Sequence, residues 1–436
     1  MKFKQVIFSG IFWRGLYFTT VLLLNIVVAR YFHAKGSGWI YYITNYFSLI
    51  ILLASLSLES GMTYYSARND IGKHKLAFFS LLWSVALTAV TGVLLLLFYH
   101  HPDEGYSVSQ FIFFAVTYTC GVLLTSFFCA LFYAQQNYIL PNSLLAFTNI
   151  LLVAIIFTGL RRVAGLSGLF LLQLYFLSFF LQGVLLAIAY LLKNKILLRW
   201  SLPGIYELKL LFRYSLVALF NNLLFFLLYR VDYWFVKNTC RTCIEGDLGN
   251  YIQVSKIGQL FFLLPVIIAS AIFPLTASGL KTEVNSGLPV LARAITVFYF
   301  VVLGFLALTG RWLFPWIYGE TFNRMYLPFV LLIPGILSLS TIALLAAYYS
   351  GKNKMVLNTK GSFIGLVIIV AGDWLLIPRY GIAAAAIVSS AGYTGYLFYL
   401  LYAYKKEYNI AAANFFIPVR ADWTRLRQLF TWHGRS

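Results

Sequence analysis

The chain contains little charge for its length. Of its 436 residues, 11% are Asp, Glu, Lys or Arg, and the mean hydropathy is +0.82. Soluble globular domains carry about 25% charged residues, so this composition cannot supply a water-exposed surface. The sequence therefore excludes a soluble enzyme and predicts a protein whose main solvent is lipid.

Catalytic and metal-binding patterns are also missing from the sequence. It has no hydrolytic triad, zinc-ligand spacing, phosphate-binding Gly-Lys loop or dinucleotide fingerprint, and its five histidines are scattered. We therefore expect no enzymatic activity, no cofactor and no metal site. The net charge of +20 does not indicate a nucleic-acid partner, because Lys and Arg fall mostly between apolar runs.

Apolar runs recur along the whole chain, and each is long enough to cross a hydrocarbon layer of about 30 Å as a helix. Strands of a membrane barrel would be about 10 residues long with alternating polarity. The sequence therefore predicts an all-α polytopic membrane protein. The twelve expected spans are 6–29, 39–58, 76–99, 110–134, 141–160, 165–192, 210–236, 252–280, 288–314, 326–349, 356–377 and 381–404.

The distribution of Lys and Arg predicts the orientation in the membrane. With the N-terminus in the cytoplasm, most Lys and Arg residues fall in cytoplasmic segments, as the positive-inside rule requires. We therefore expect both termini inside, together with the loops around Lys73 and Lys193. The loops that carry Asp103 and Cys240 are expected outside.

The two halves of the sequence resemble each other at an offset of roughly 200 residues. Residues 36–41 (GSGWIY) are echoed by residues 246–251 (GDLGNY), and residues 165–169 (GLSGL) by residues 381–385 (GIAAA). This repeat predicts two pseudo-symmetric six-helix lobes around a central cavity, related by an axis along the membrane normal.

The repeat also predicts the division of the chain. The N-lobe, helices 1–6, is expected at 1–200, and the C-lobe, helices 7–12, at 201–407. Residues 408–436 combine Phe and Trp with arginines, so we expect a cytoplasmic tail that is either amphipathic on the inner leaflet or disordered.

Four cations lie within or at the ends of predicted spans. Arg14 and Lys256 are too deep to snorkel easily, and Arg30 and Arg230 lie near span ends. If they line a shared cavity, they would bind an anionic head group such as a pyrophosphate. The alternatives are interfacial snorkelling for Arg14 and a structural ion pair for Lys256.

Three carboxylates also lie in or beside the spans. Asp232 and Asp373 are candidates for binding a coupling proton or sodium ion, with structural pairing between helices as the alternative. Glu59 is a weaker candidate, because its position favours capping or orienting a helix end. Cys240 and Cys243 lie in a loop predicted to be external, where they form either a disulfide or two free thiols.

Several short motifs, in order and spacing, give the chain a family resemblance. They are Val28-Ala29-Arg30-Tyr31, Gly36-x-Gly38, Arg230-Val231-Asp232, Gly249-Asn250-Tyr251, Phe273-Pro274 and Leu376-Ile377-Pro378-Arg379-Tyr380-Gly381. Over nearly all its length the chain resembles the Wzx-type polysaccharide repeat-unit flippases of the multidrug, oligosaccharidyl-lipid and polysaccharide exporter superfamily. The related lipid II flippases usually add two C-terminal helices, so the resemblance favours a repeat-unit flippase.

The resemblance implies a transport function in a bacterial cytoplasmic (inner) membrane. Such flippases move undecaprenyl-pyrophosphate-linked oligosaccharide from the inner to the outer leaflet for O-antigen, lipopolysaccharide, capsule or exopolysaccharide biosynthesis. Lys256 falls where the lipid II flippases place a cavity arginine, and Arg14 falls near another. The implied partners are the lipid-linked oligosaccharide, membrane lipids, a proton or sodium ion, and a polysaccharide polymerase and ligase.

Two alternatives to a flippase stay open. A cation-coupled multidrug exporter of the same superfamily would need a cavity dominated by carboxylates. A membrane glycosyl polymerase or ligase would typically carry a large external loop with catalytic arginines, and no predicted external loop exceeds roughly 15 residues.

Overall fold

A computed structural model describes residues 3–99, 106–160, 167–196, 201–277, 281–419 and 422. The predicted loops at 101–104 and 161–164, and most of the predicted tail, lie outside these residues. The long helices are α1 (Phe3–Ser55), α2 (Leu58–Ala67), α3 (Lys73–Phe98), α4 (Val108–Ala134), α5 (Ile139–Leu160), α6 (Gly168–Lys193), α7 (Ile205–Thr239), α8 (Asp247–Ala277), α9 (Lys281–Tyr318), α10 (Tyr326–Gly351) and α11 (Met355–Tyr408). Short 3-10 turns lie at Glu320–Phe322 and Ala412–Phe415.

Ten of the helices in the described ranges are long and apolar enough to cross a membrane. Two of them, α1 with 53 residues and α11 with 54, are twice as long as a bilayer requires. Each contains one residue with left-handed backbone, His33 (φ 55°) and Gly381 (φ 61°). We call the halves α1a (3–32) and α1b (34–55), and α11a (355–380) and α11b (382–408). Dividing both helices at these residues gives the twelve predicted segments, so the all-α polytopic prediction is confirmed.

The outer surfaces of the helices are apolar, as lipid contact requires. Phe98 is 77% exposed, Phe300 75% and Leu308 78%. Soluble monomers rarely expose contiguous apolar surface on this scale. The chain is therefore a multi-pass membrane protein.

The chain divides into two compact units. Unit 1 contains Met1–Phe32 and Ile40–Leu223, and unit 2 contains His33–Trp39 and Leu224–Ser436. The division falls inside α7, whose first residues pack with unit 1. There Glu207 forms an ion pair with Lys75 at 2.9 Å.

Unit 1 is built on close helix crossings and on polar contacts between helices. A Cβ atom on Gly121 of α4 would lie 2.2 Å from the carbonyl carbon of Phe179 in α6, so only glycine fits there. Small residues allow such close approach in membrane helices. A buried hydrogen-bond chain also joins three helices: Gln182 donates to Asn149 (2.9 Å), and Asn149 donates to Thr20 (3.1 Å).

Unit 2 includes the short segment between α1a and α1b. The Ala34 amide donates to the Thr321 hydroxyl at 3.1 Å, and Lys35 forms an ion pair with Glu245. A Cβ atom on Gly249 would lie 1.9 Å from the Ala34 carbonyl oxygen. The glycine-rich sequence at the start of α8 therefore provides the surface on which this segment packs.

The described part of the tail docks onto the end of unit 2. Arg293 in α9 is buried, donates from Nε to Asp422 at 2.7 Å and also donates to the Asn414 carbonyl. Phe415 is fully buried and its ring meets that of Tyr404 edge-on, with centroids 5.1 Å apart. A buried ion pair and an aromatic side chain thus fix residues 409–419 and Asp422 to α9 and α11b.

Candidate functional site

Asp232 lies in α7 with its carboxylate fully enclosed by donors. Its Oδ1 accepts from the Tyr233 amide at 2.9 Å. Its Oδ2 accepts from the hydroxyl of Tyr251 in α8 and from that of Ser389 in α11b, the latter at 3.1 Å. Asp232 is 2% exposed. These bonds from three helices satisfy a buried carboxylate, which would otherwise be costly to remove from solvent.

Asp373 in α11a is another buried carboxylate of unit 2, and its surroundings differ from those of Asp232. It is 0% exposed, and neither of its oxygens has a hydrogen-bond partner among the described residues. The turn of α11a that carries Asp373 packs on the turn of α11b that bonds Asp232: a Cβ atom on Gly372 would lie 2.7 Å from Val388, and the next residue, Ser389, donates to Asp232. Because buried carboxylates are normally hydrogen-bonded, Asp373 offers two acceptor oxygens to a proton or a cation.

Two of the predicted cations lie on neighbouring helices of unit 2. Arg230 lies in α7 and Lys256 in α8, and the hydrogen bond from Tyr251 to Asp232 joins these two helices. Both side chains are half-buried, and the Arg230 guanidinium carbon lies 5.4 Å from the centroid of the Phe226 ring. A cation in a low-dielectric region interacts more strongly with an anion beside it than a cation in water does.

Arg14 belongs to unit 1, where it lies over aromatic rings. Its guanidinium carbon is 4.6 Å from the Tyr133 centroid and 5.0 Å from the Tyr138 centroid. Tyr133 also donates to Asn142 at 3.1 Å, which fixes the aromatic platform. Arg14 remains exposed, so its charge is oriented by cation–π contacts and is still able to meet a ligand.

The other two predicted residues belong to unit 1. Arg30 is exposed near the end of α1a in unit 1. Glu59 lies in the first turn of α2, also in unit 1, whereas Asp232 and Asp373 lie in unit 2. A carboxylate in a first turn is stabilised by the helix dipole.

Cys240 and Cys243 form a disulfide in the loop between α7 and α8. This settles the alternative that the sequence leaves open. The loop lies against the break in α11, since a Cβ atom on Gly381 would be 3.1 Å from the Thr242 hydroxyl and 3.6 Å from each sulfur. Disulfides persist in oxidising compartments.

Sequence reasoning misses the neutral residues of these sites. Tyr251 and Ser389 hold Asp232, while Tyr133 and Tyr138 hold Arg14. Hydroxyl-bearing residues are common in apolar runs, and nothing in their spacing marks these four. Of these four residues, only Tyr251 is marked by a sequence pattern, because it ends the repeated segment 246–251.

The geometry can be compared with known proteins. No protein-family model and no curated protein matches the chain. Among solved structures, it is similar to the lipid II flippase MurJ in an inward closed conformation, with a TM-score of 0.71, 13% identity, and coverage of 96% of this chain and 92% of that chain.

Two further solved structures have a similar fold. A MOP-superfamily transporter from Pyrococcus furiosus gives a TM-score of 0.64 at 14% identity, covering 98% of this chain and 97% of that one. The Vibrio cholerae MATE transporter VcmN in its bent form gives 0.62 at 14% identity, covering 92% and 96%. The chain therefore has the fold of the MOP-superfamily transporters.

Proposed function

We propose that this protein is a flippase for an anionic lipid-linked oligosaccharide. It moves an undecaprenyl-pyrophosphate-linked sugar from the inner to the outer leaflet of the cytoplasmic membrane by alternating access, for biosynthesis of a surface polysaccharide. The observation that carries the proposal is that Arg230 and Lys256 lie half-buried on two neighbouring membrane helices of unit 2, α7 and α8. Cations placed together in low dielectric favour a polyanionic head group such as a pyrophosphate.

The proposed head-group ligands are Arg14, Lys256, Arg30 and Arg230. Arg14 supports the assignment, because its guanidinium is exposed and held over two tyrosine rings. The likeness to a lipid II flippase supports the same class of cargo. A head group that crosses between leaflets needs cations along its path.

The carboxylates of unit 2 are proposed to bind the coupling ion, a proton or a sodium ion. Asp232 has its acceptor oxygens held by three donors, whereas Asp373 has two oxygens without a partner in the described structure. Two neighbouring buried carboxylates repel each other unless a cation or proton is shared between them. Glu59 stays a weaker candidate for the same role.

Single substitutions test the head-group site. A charge-assisted contact in a partly dry site contributes about 1.5 to 3 kcal/mol, so Arg14→Ala and Lys256→Ala should each weaken head-group binding about tenfold to a hundredfold. Both should stop surface-polysaccharide formation at normal membrane abundance, while Lys256→Arg should largely retain it because the charge is kept.

A surface cation provides the matched control. Lys354 is 46% exposed and pairs with Glu407 at 2.9 Å outside the proposed site, so Lys354→Ala should export polysaccharide normally. If both site variants insert normally and export at wild-type rates, Arg14 and Lys256 are structural cations and the proposed site is wrong.

A cation-coupled multidrug exporter is the second candidate. The buried pair of Asp232 and Asp373 and the likeness to VcmN favour it. A deletion strain that becomes sensitive to amphipathic cations while its surface polysaccharide stays normal would establish the exporter. A membrane polymerase or ligase ranks last, and both enzymes are proposed instead as partners that use the flipped oligosaccharide.

A further inference from the structure

Two consecutive serines of α11b face different neighbours. Ser389 donates to Asp232 Oδ2 at 3.1 Å. Ser390 points to α10, where its hydroxyl accepts from the Gly335 amide at 3.2 Å and donates to the Leu331 carbonyl at 2.7 Å. Successive residues on a helix are about 100° apart, so one turn of α11b reaches both the carboxylate pair and α10.

The Ser390 contact lies at the proline of α10. In a regular α-helix the Gly335 amide and the Leu331 carbonyl bond to each other, since they are four residues apart. Pro334 has no N–H, and its ring displaces the preceding carbonyls, which opens the hydrogen-bond ladder at this turn. Within a membrane the loosened groups need a partner from a neighbouring helix. Ser390 provides a donor and an acceptor at that point.

A related arrangement occurs at two other prolines of unit 2, where the hydroxyl bonds the carbonyl four residues before the proline. The carbonyl four residues before Pro289 belongs to Asn285 and accepts from the Tyr404 hydroxyl at 3.1 Å. The carbonyl four residues before Pro265 belongs to Phe261 and accepts from the Tyr299 hydroxyl. A hydroxyl from a neighbouring helix therefore meets the ladder at each of these prolines.

The contact between α10 and α11b at Ser390 is also tight. A Cβ atom on Gly335 would lie 3.0 Å from both Cα and Oγ of Ser390. Close-packed helices do not deform continuously and pass a shift on to the next element. A movement of α11b at Ser389 would therefore change the position of Ser390 in the bend of α10.

We propose that Ser389 and Ser390 couple occupancy of the carboxylate pair to the bend of α10 at Pro334. The inference rests on the proposed cation coupling and names the element that responds to it. When a cation or proton is shared between Asp232 and Asp373, the charge on the Asp232 oxygen that accepts from Ser389 changes. The hydrogen bond from Ser389 therefore changes in strength. The resulting shift of α11b alters the hydrogen bonds of Ser390 with the Gly335 amide and the Leu331 carbonyl. α10 then bends or straightens at Pro334. Ser390 is thus a positioning residue that contacts no cargo.

Hydrogen exchange of the full-length protein in nanodiscs, followed by mass spectrometry, tests this at constant pH. Asp373→Asn imitates the neutral state of the pair. It should change the exchange rate of amides in residues 331–338 by roughly fivefold to tenfold, the equivalent of one hydrogen bond. In a Ser390→Ala background, Asp373→Asn should produce no further change, whereas Ser390→Thr keeps the hydroxyl and should keep the response.

Ser338→Ala is the matched control, because Ser338 also bonds to α11b, through the Thr394 hydroxyl at 3.0 Å, but away from the bend. The response to Asp373→Asn should survive in that background. An equal response with and without Ser390, or none in the otherwise wild-type protein, overturns the coupling. Neither result depends on the cargo, so the flippase proposal is judged separately by polysaccharide export.

Discussion

Removing the buried carboxylates of Asp232 and Asp373 one at a time should have different effects on stability. Asp232→Ala removes the acceptor of the Tyr251 and Ser389 hydroxyls and of the Tyr233 amide. Leaving buried donors without a partner costs about 1 to 3 kcal/mol. Asp373→Ala removes the same carboxyl group from a site where its oxygens have no hydrogen-bond partner in the described structure. It also relieves its repulsion with Asp232, so stability should stay the same or rise.

The two variants are matched, because each removes one carboxyl group from a side chain that is almost inaccessible to solvent. Thermal unfolding of the detergent-solubilised proteins, monitored by loss of the monodisperse peak, gives the comparison. The predicted order of melting temperature is Asp232→Ala below wild type, with Asp373→Ala equal to or above it. If Asp373→Ala destabilises the protein as much as Asp232→Ala, Asp373 is an ordinary structural group and its assignment to ion binding fails.

Three further predictions concern packing, topology and the tail. Gly249→Ala should lower the melting temperature, because its Cβ would lie 1.9 Å from a carbonyl oxygen, whereas Gly304→Ala, with no atom within 4 Å, should not. In intact spheroplasts, an impermeant thiol reagent should label a cysteine placed at Asp103 and not one placed at Lys73; the reverse pattern would invert the topology. Arg293→Ala leaves a buried carboxylate without its cation and should destabilise the protein by about 3 to 5 kcal/mol, and an unchanged melting temperature would show that the docked tail contributes little.

The helices were predictable because lipid imposes one rule on every span. An apolar run of about 20 residues must satisfy its own backbone, and only a helix does so. The junctions at His33 and Gly381 were harder to predict. Both residues have a positive φ and a non-helical backbone where two helices follow each other directly, and composition does not distinguish such a turn from a loop.

Only the charged residues of the candidate site could be predicted from the sequence. Asp232, Asp373 and Lys256 stand out because ionisable groups inside a span are rare. Ser389 and Ser390 do not, since neutral hydroxyls are common in membrane helices and their partners lie on α7 and α10, far away in sequence. Arg293 was missed for another reason: its partner Asp422 lies in a segment whose composition predicts only a tail.

The leaflet distribution of lipid-linked oligosaccharide in a strain lacking this protein tests the proposed function most directly. Right-side-out and inside-out vesicles, probed with an impermeant sugar-modifying enzyme, locate the accumulated substrate. The flippase proposal predicts accumulation in the inner leaflet, reversed by the wild-type protein and not by Lys256→Ala at equal membrane abundance. Normal levels of the substrate, or accumulation in the outer leaflet, would contradict it.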